Sequence, residues 1–261
     1  ATVPTEAPTT PTNAPTNPPT EAPTDPPTEP PIVKESTATV GVTGDILFHD
    51  RVIKCGWQED TKTYNYDHIY QHWKKYISAV DYAVANLEVT LCSNDNGYDY
   101  KGYPCFNSPD AVPEALKKAG FDMVLTANNH SYDTREVGLN RTVEIIADRG
   151  LDKLGTKADP EDANYLIVER NGIKLALACY TYEDNADPNI KAPNGITMRA
   201  EDAPLINSFD YTNLNLFYEE LSESMVEAEN LGADAFVLFI HWGYEYYTTQ
   251  LDFQSTMAQS L

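Results

Sequence analysis

The chain has 261 residues, room for one large domain or two small ones, and sets 40 Asp and Glu against 18 Lys and Arg for a formal charge of −22. Too few cations remain to track phosphates, which argues against a nucleic-acid partner, and no apolar run approaches the ~20 residues of a membrane-spanning helix, so the chain as given is expected to be soluble. With 41% hydrophobic and 11% aromatic residues it can bury a substantial core, and no basic n-region with an apolar h-region opens it.

Residues 1–31 hold eleven of the eighteen prolines in a rhythm of Thr, Pro, Ala and acidic residues. Proline fixes φ and removes donors, and nothing here has apolar area to bury, so residues 1–35 read as a semi-rigid polyproline-like spacer ahead of a domain over 36–261. It is either a stalk, with threonines open to O-glycosylation, or an inter-domain linker. Both place the protein outside the cytoplasm.

Beyond the spacer, strand and helix signals alternate. A strand is expected over 37–43, ending at Gly44-Asp45, then helical spacing over 67–77 and a second strand over 81–87. Ser108-Pro109-Asp110 reads as a helix start, the helix stopping at Gly120. A third strand follows over 121–126 and an amphipathic helix over 134–149. Asn171-Gly172 between 165–169 and 173–180 is a strong hairpin signal. A helix over 213–231 leads into an apolar strand over 235–240. Continuous apolar strands between helices imply an α/β layered domain with its central strands covered on both faces.

Four cysteines (Cys55, Cys92, Cys105, Cys179) lack any C-x-x-C spacing, which disfavours a zinc knuckle or redox pair. Cys92 and Cys105 bracket a polar Gly/Tyr-rich loop, and a disulfide there would close it in an oxidising compartment. The alternative is four unrelated thiols, and the pairing of Cys55 and Cys179 stays open. In such sheets the working residues collect beyond the carboxyl ends of the strands. Here those ends carry Asp45, then Asn86 and Glu88, then Asn128-Asn129-His130, and finally His241. Carboxylates, amides and imidazoles at one sheet edge suit divalent Mn, Zn, Fe or Mg, one ion or two, activating water and screening a phosphoryl group. His68 and His72 share a helix face at i, i+4 but lack a third ligand, so they read as packing.

The strings T-G-D-I-L-F-H-D-R-V, A-N-L-E, G-Y-P-C-F-N-S-P-D, G-F-D-M-V-L-T-A-N-N-H-S-Y-D and H-W-G-Y-E-Y, in this order, resemble the bacterial CapA family of capsule or poly-γ-glutamate synthesis proteins. The resemblance implies a layered α-β-β-α sandwich similar to the calcineurin-like metallophosphoesterases, in a protein secreted or anchored at the bacterial surface. It assigns Asp45, Glu88, Asn129 and His241 to metal, His130 to proton donation and Asn86 to a place either behind a metal ligand or facing the substrate. The phosphoesterases' D-x-H is absent, and His49, four residues after Asp45, is a candidate substitute. Their G-D-x-x-D is replaced by Asn86-Leu87-Glu88. Their next strand and G-H-x-H-like element would fall after Leu261, so the domain is expected to be C-terminally incomplete.

Two functional classes follow. One is a metal-dependent hydrolase acting on an anionic polymer or phosphate-containing envelope substrate, alongside membrane-bound capsule-synthesis partners. The other is a non-catalytic component that binds or scaffolds the polymer. A charge of −22 repels polyglutamate, so binding needs a metal or a local basic patch, for which Arg51, Lys74, Lys75 and Arg135 are the candidates. Tyr98, Tyr100, Tyr103, Trp242, Tyr244, Tyr246 and Tyr247 are candidates for lining a polymer groove, or for ordinary packing.

Overall fold

A computed structural model describes residues 35–183 and 190–261; the expected spacer over 1–35 therefore lies, but for Glu35, outside the described residues. In chain order the elements are β1 (Val40–Ile46), α1 (Asp50–Cys55), β2 (Trp57–Gln58), β3 (Thr63–Tyr64), α2 (Asp67–Tyr70), α3 (Lys74–Ile77), β4 (Tyr82–Leu87), α4 (Ala111–Ala119), β5 (Met123–Leu125), α5 (Arg135–Asp148), β6 (Asp152–Leu154), β7 (Tyr165–Arg170), β8 (Ile173–Tyr182), β9 (Ser208–Phe209), α6 (Leu214–Asn230), β10 (Ala235–His241) and α7 (Asp252–Ser260). The result is a mixed α/β architecture. A parallel sheet runs β1-β4-β5-β6, and a second sheet runs β10-β8-β7, with β9 beside β8. Among the described residues no helix is long and apolar enough to cross a membrane.

The two-residue period of the strands sorts their side chains between layers. Ala83, Ala85 and Leu87 of β4 face a cluster with Ile53, Tyr70, Ile77, Leu116 and Ile146 from the helices. The alternate β4 residues Tyr82 and Val84 join Met123 and Leu125 of β5 and Leu175, Leu177 and Cys179 of β8 in a second cluster between the sheets. Val237 and Phe239 of β10 pack against that same cluster, whereas Phe236, Leu238 and Ile240 pack outward with Phe217 and Leu221 of α6. Continuing each alternation places Asn86 and His241 on facing surfaces, at the carboxyl ends of their strands.

Three local features depart from the expected elements. β1 continues past Gly44, because a bulge between Thr43 and Asp45 lets Asp45 pair with Asn86. The helix expected over 67–77 is two short helices, since the Trp73 N–H bonds the Tyr70 carbonyl three residues back and tightens the turn between them. The hairpin is as expected, with Asn171 and Gly172 at φ +55° and +81°, the left-handed pair a tight two-residue turn requires.

The expected Cys92–Cys105 disulfide is not formed; all four cysteines are free thiols. Asn107 closes that loop instead. Its Nδ2 donates to the carbonyls of Cys92 (2.8 Å), Tyr98 (3.2 Å) and Asp99 (3.1 Å), and its Oδ1 accepts from the Cys92 N–H (2.7 Å). Cys92 is buried beside Gly138, while Cys105 packs against the inter-sheet cluster. Asn107→Ala orphans the buried N–H and carbonyl of Cys92 and should cost about 3 kcal/mol in urea unfolding. A loss below about 1 kcal/mol would mean that the loop closes by other contacts.

Candidate metal centre

Four strand ends converge as their sequence order requires. The bulge at Gly44 turns Asp45 toward β4, where Asn86 Nδ2 donates to Asp45 Oδ1 (2.8 Å). Asn86 is itself held by Asn128, whose Nδ2 donates to Asn86 Oδ1 (3.1 Å) and to the Leu87 carbonyl (3.0 Å). One ligand atom from each of Asp45, Glu88 and His241 lies within 4.8 Å of the others. Asn129 reaches the same spot: His241 Nε2 donates to Asn129 Oδ1 at 2.9 Å. A cation replacing that shared proton would find an imidazole nitrogen and an amide oxygen already facing each other.

The electrostatics favour a cation. Glu88 is 6% exposed, and no donor faces its buried Oε2. Burial, then the neighbouring Asp45 carboxyl, with Asp133 and Glu245 adding, pushes its pKa up to about 8. Burial likewise lowers the His241 pKa and keeps the imidazole neutral, the form that binds metal. An orphaned carboxylate oxygen beside a second carboxylate and a neutral imidazole fits a hard or borderline divalent ion.

His130 stands at the edge of this group, its Nε2 3.9 Å from Glu88 Oε1. Its other nitrogen is taken by Asp133, a residue that the sequence reading missed: Nδ1 donates to Asp133 Oδ2 at 2.7 Å. Asp133 is buried and also accepts from the Phe106 N–H (2.5 Å) and from Asn194 Nδ2 (2.9 Å). Nδ1 therefore carries the proton and Nε2 faces the site. Its place three residues after His130, inside A-N-N-H-S-Y-D, was a signal available in the sequence. Asn194 arrives from a distant loop and had none.

Other expected residues fall elsewhere. His49 does not join the cluster; it caps α1 and lays its ring edge-on to Phe106 at 5.0 Å. Asn86 is buried, its amide committed to Asp45 and Asn128, so it positions a ligand and does not meet substrate. His68 and His72 are exposed, and His68 Nε2 lies 3.7 Å from Cys55 Sγ. Arg51, Lys74, Lys75 and Arg135 are exposed. Tyr100 packs against Tyr64, whereas Tyr244, Tyr246 and Tyr247 stand exposed beyond β10.

The family model for the bacterial capsule synthesis protein PGA_cap matches residues 39–261. Over 228 residues the chain is 22% identical to the capsule biosynthesis protein CapA of Bacillus anthracis, covering 85% of this chain and 51% of that protein. Over 231 residues it is 25% identical to the PGA biosynthesis protein CapA of Bacillus subtilis (strain 168), covering 87% of this chain and 54% of that protein. The chain thus spans about half the length of the curated relatives it matches.

Proposed function

The chain belongs to the bacterial capsule synthesis protein PGA_cap family, and from that premise we propose that it acts in capsule or poly-γ-glutamate biosynthesis as a metal-dependent hydrolase at the cell surface. The observation that carries this reading is the convergence of Asp45, Glu88 and His241, with Glu88 Oε2 buried and unmet. These three, with Asn129, would hold one divalent ion or two. Such an ion supplies an activated water and screens an anionic group. The two sheets with helices on their outer faces support a layered α-β-β-α sandwich of the metallophosphoesterase kind.

The protein's own groups then have distinct tasks. Asn86 fixes Asp45 by donating from Nδ2 to the carboxylate Oδ1. Asp133 holds His130 so that Nε2 faces the centre, where the imidazolium, with a second proton on Nε2, would hand that proton to a leaving oxygen or nitrogen and return to the Nδ1–H form. The substrate is an anionic polymer or a phosphate-bearing envelope molecule. Against a chain at −22 the cation is what makes this site attractive to it. The Pro/Thr-rich residues 1–35 serve as the stalk or linker that sets the domain before membrane-bound synthesis partners.

The test is turnover of bis-p-nitrophenyl phosphate and of γ-glutamate oligomers in manganese or zinc, before and after chelation. Turnover abolished by chelation and restored by metal is expected. Oligomer binding that survives chelation, with no turnover, would overturn the hydrolase reading in favour of a scaffold.

A further inference from the structure

A second cavity, of about 420 Å³, opens where α6, α7 and the segment after β10 meet. Four aromatic residues wall it, Tyr211, Tyr218, Tyr244 and Phe253, with Leu214 and Met257 between them. The rings brace one another: Tyr211 and Phe253 lie 5.1 Å apart, and Tyr244 and Phe253 5.9 Å, both edge-on. Its volume falls in the ~300–1,000 Å³ range of small-molecule sites. No residue of the candidate metal centre lines it.

Charge decides which ligand this cavity suits. Each aromatic wall residue has a carboxylate as its chain neighbour: Asp210 before Tyr211, Glu219 after Tyr218, Glu245 after Tyr244 and Asp252 before Phe253. Among the described residues none of these four carboxylates is in an ion pair with Lys, Arg or His within 4.0 Å, and Glu219, Glu245 and Asp252 are exposed. Residues 200–261 contain eleven carboxylates and no Lys or Arg. Phosphate or polyglutamate would be repelled by the field of such a stretch. A cation gains twice, from the long-range field and from the negative faces of the rings.

We propose that this aromatic-walled cavity, set in a stretch of chain rich in carboxylates and without Lys or Arg, binds a small organic cation of the quaternary-ammonium class. Ring faces suit such a cation because its charge is spread over methyl groups that are weakly hydrated and shed water cheaply. The site is independent of the metal centre and requires no bound metal.

The experiment is an NMR titration of the ¹⁵N-labelled protein, following the amides of Tyr211, Tyr218, Tyr244 and Phe253 in chelator-containing buffer. The probes are choline, its uncharged isostere 3,3-dimethyl-1-butanol, and N-acetylglucosamine. Choline is expected to bind at least about fivefold more tightly than the isostere, and more weakly as salt is raised. Tyr244→Leu keeps apolar bulk at a side chain 64% exposed, so the fold tolerates it, and should weaken choline at least about threefold. Asp252→Asn should weaken choline about twofold and leave the isostere unchanged. Equal binding of choline and isostere would overturn the proposal, as would preference for the sugar, choline shifts insensitive to Tyr244→Leu, or no binding. Because metal is withheld throughout, none of these outcomes depends on the hydrolase reading.

Discussion

Asp45→Ala should lower divalent-cation affinity at least about 100-fold while leaving the fold as stable as before. Removing a neighbour of a metal ligand already costs ~10–100-fold, and Asp45 is proposed as a ligand itself. Its loss also relieves Glu88 of the carboxyl that, after burial, does most to push its pKa up. The metal-free variant therefore sheds a repulsion, which offsets the loss of the acceptor for Asn86 Nδ2, and should melt close to the parent. Titration calorimetry with manganese, paired with thermal melts, separates the cases. Lost affinity with an unchanged melt supports the centre, whereas unchanged affinity would remove Asp45 from it.

Asp133→Asn should cut turnover by about 10²–10⁴ while leaving metal content intact, as expected when an imidazole loses the carboxylate that sets its tautomer. The present carboxylate accepts the Nδ1–H at 2.7 Å and leaves Nε2 toward Glu88. An amide there presents a donor on one side and lets the ring adopt the other tautomer. Asp133 Oδ2 accepts the Phe106 N–H as well, so a thermal melt beside the kinetics separates a lost tautomer from a disturbed local fold. If His130 and Asp133 act as one unit, His130→Ala combined with Asp133→Asn should lose little more than either alone. Additive losses would separate Asp133 from His130's task.

Much of this was legible in the sequence because the strands are buried on both faces and read as continuous apolar runs. A-V-A-N-L and A-F-V-L-F-I-H mark β4 and β10 and put Asn86 and His241 at strand ends, whereas their place on two facing sheets is set by packing that continuous apolar runs do not reveal. The Asn-Gly pair announces the β7–β8 turn, since few other pairs tolerate two left-handed residues. Less was legible where structure depends on contacts far apart in sequence. The three residues of β6 are too short to show a period. The bulge that re-aims Asp45 leaves no local mark beyond one glycine. Two cysteines flanking a loop suggested a covalent closure that Asn107 achieves with hydrogen bonds. Asn194, 61 residues from the Asp133 it bonds, carries no signal of that role in its own neighbourhood.

The central claim is that Asp45, Glu88 and His241 hold a metal ion, and elemental mass spectrometry on the purified chain tests it most directly, beside Asp45→Ala and His241→Ala. About one equivalent or more of a divalent metal, removed by either substitution, is the predicted result. A protein that takes up none after soaking in manganese or zinc would contradict it.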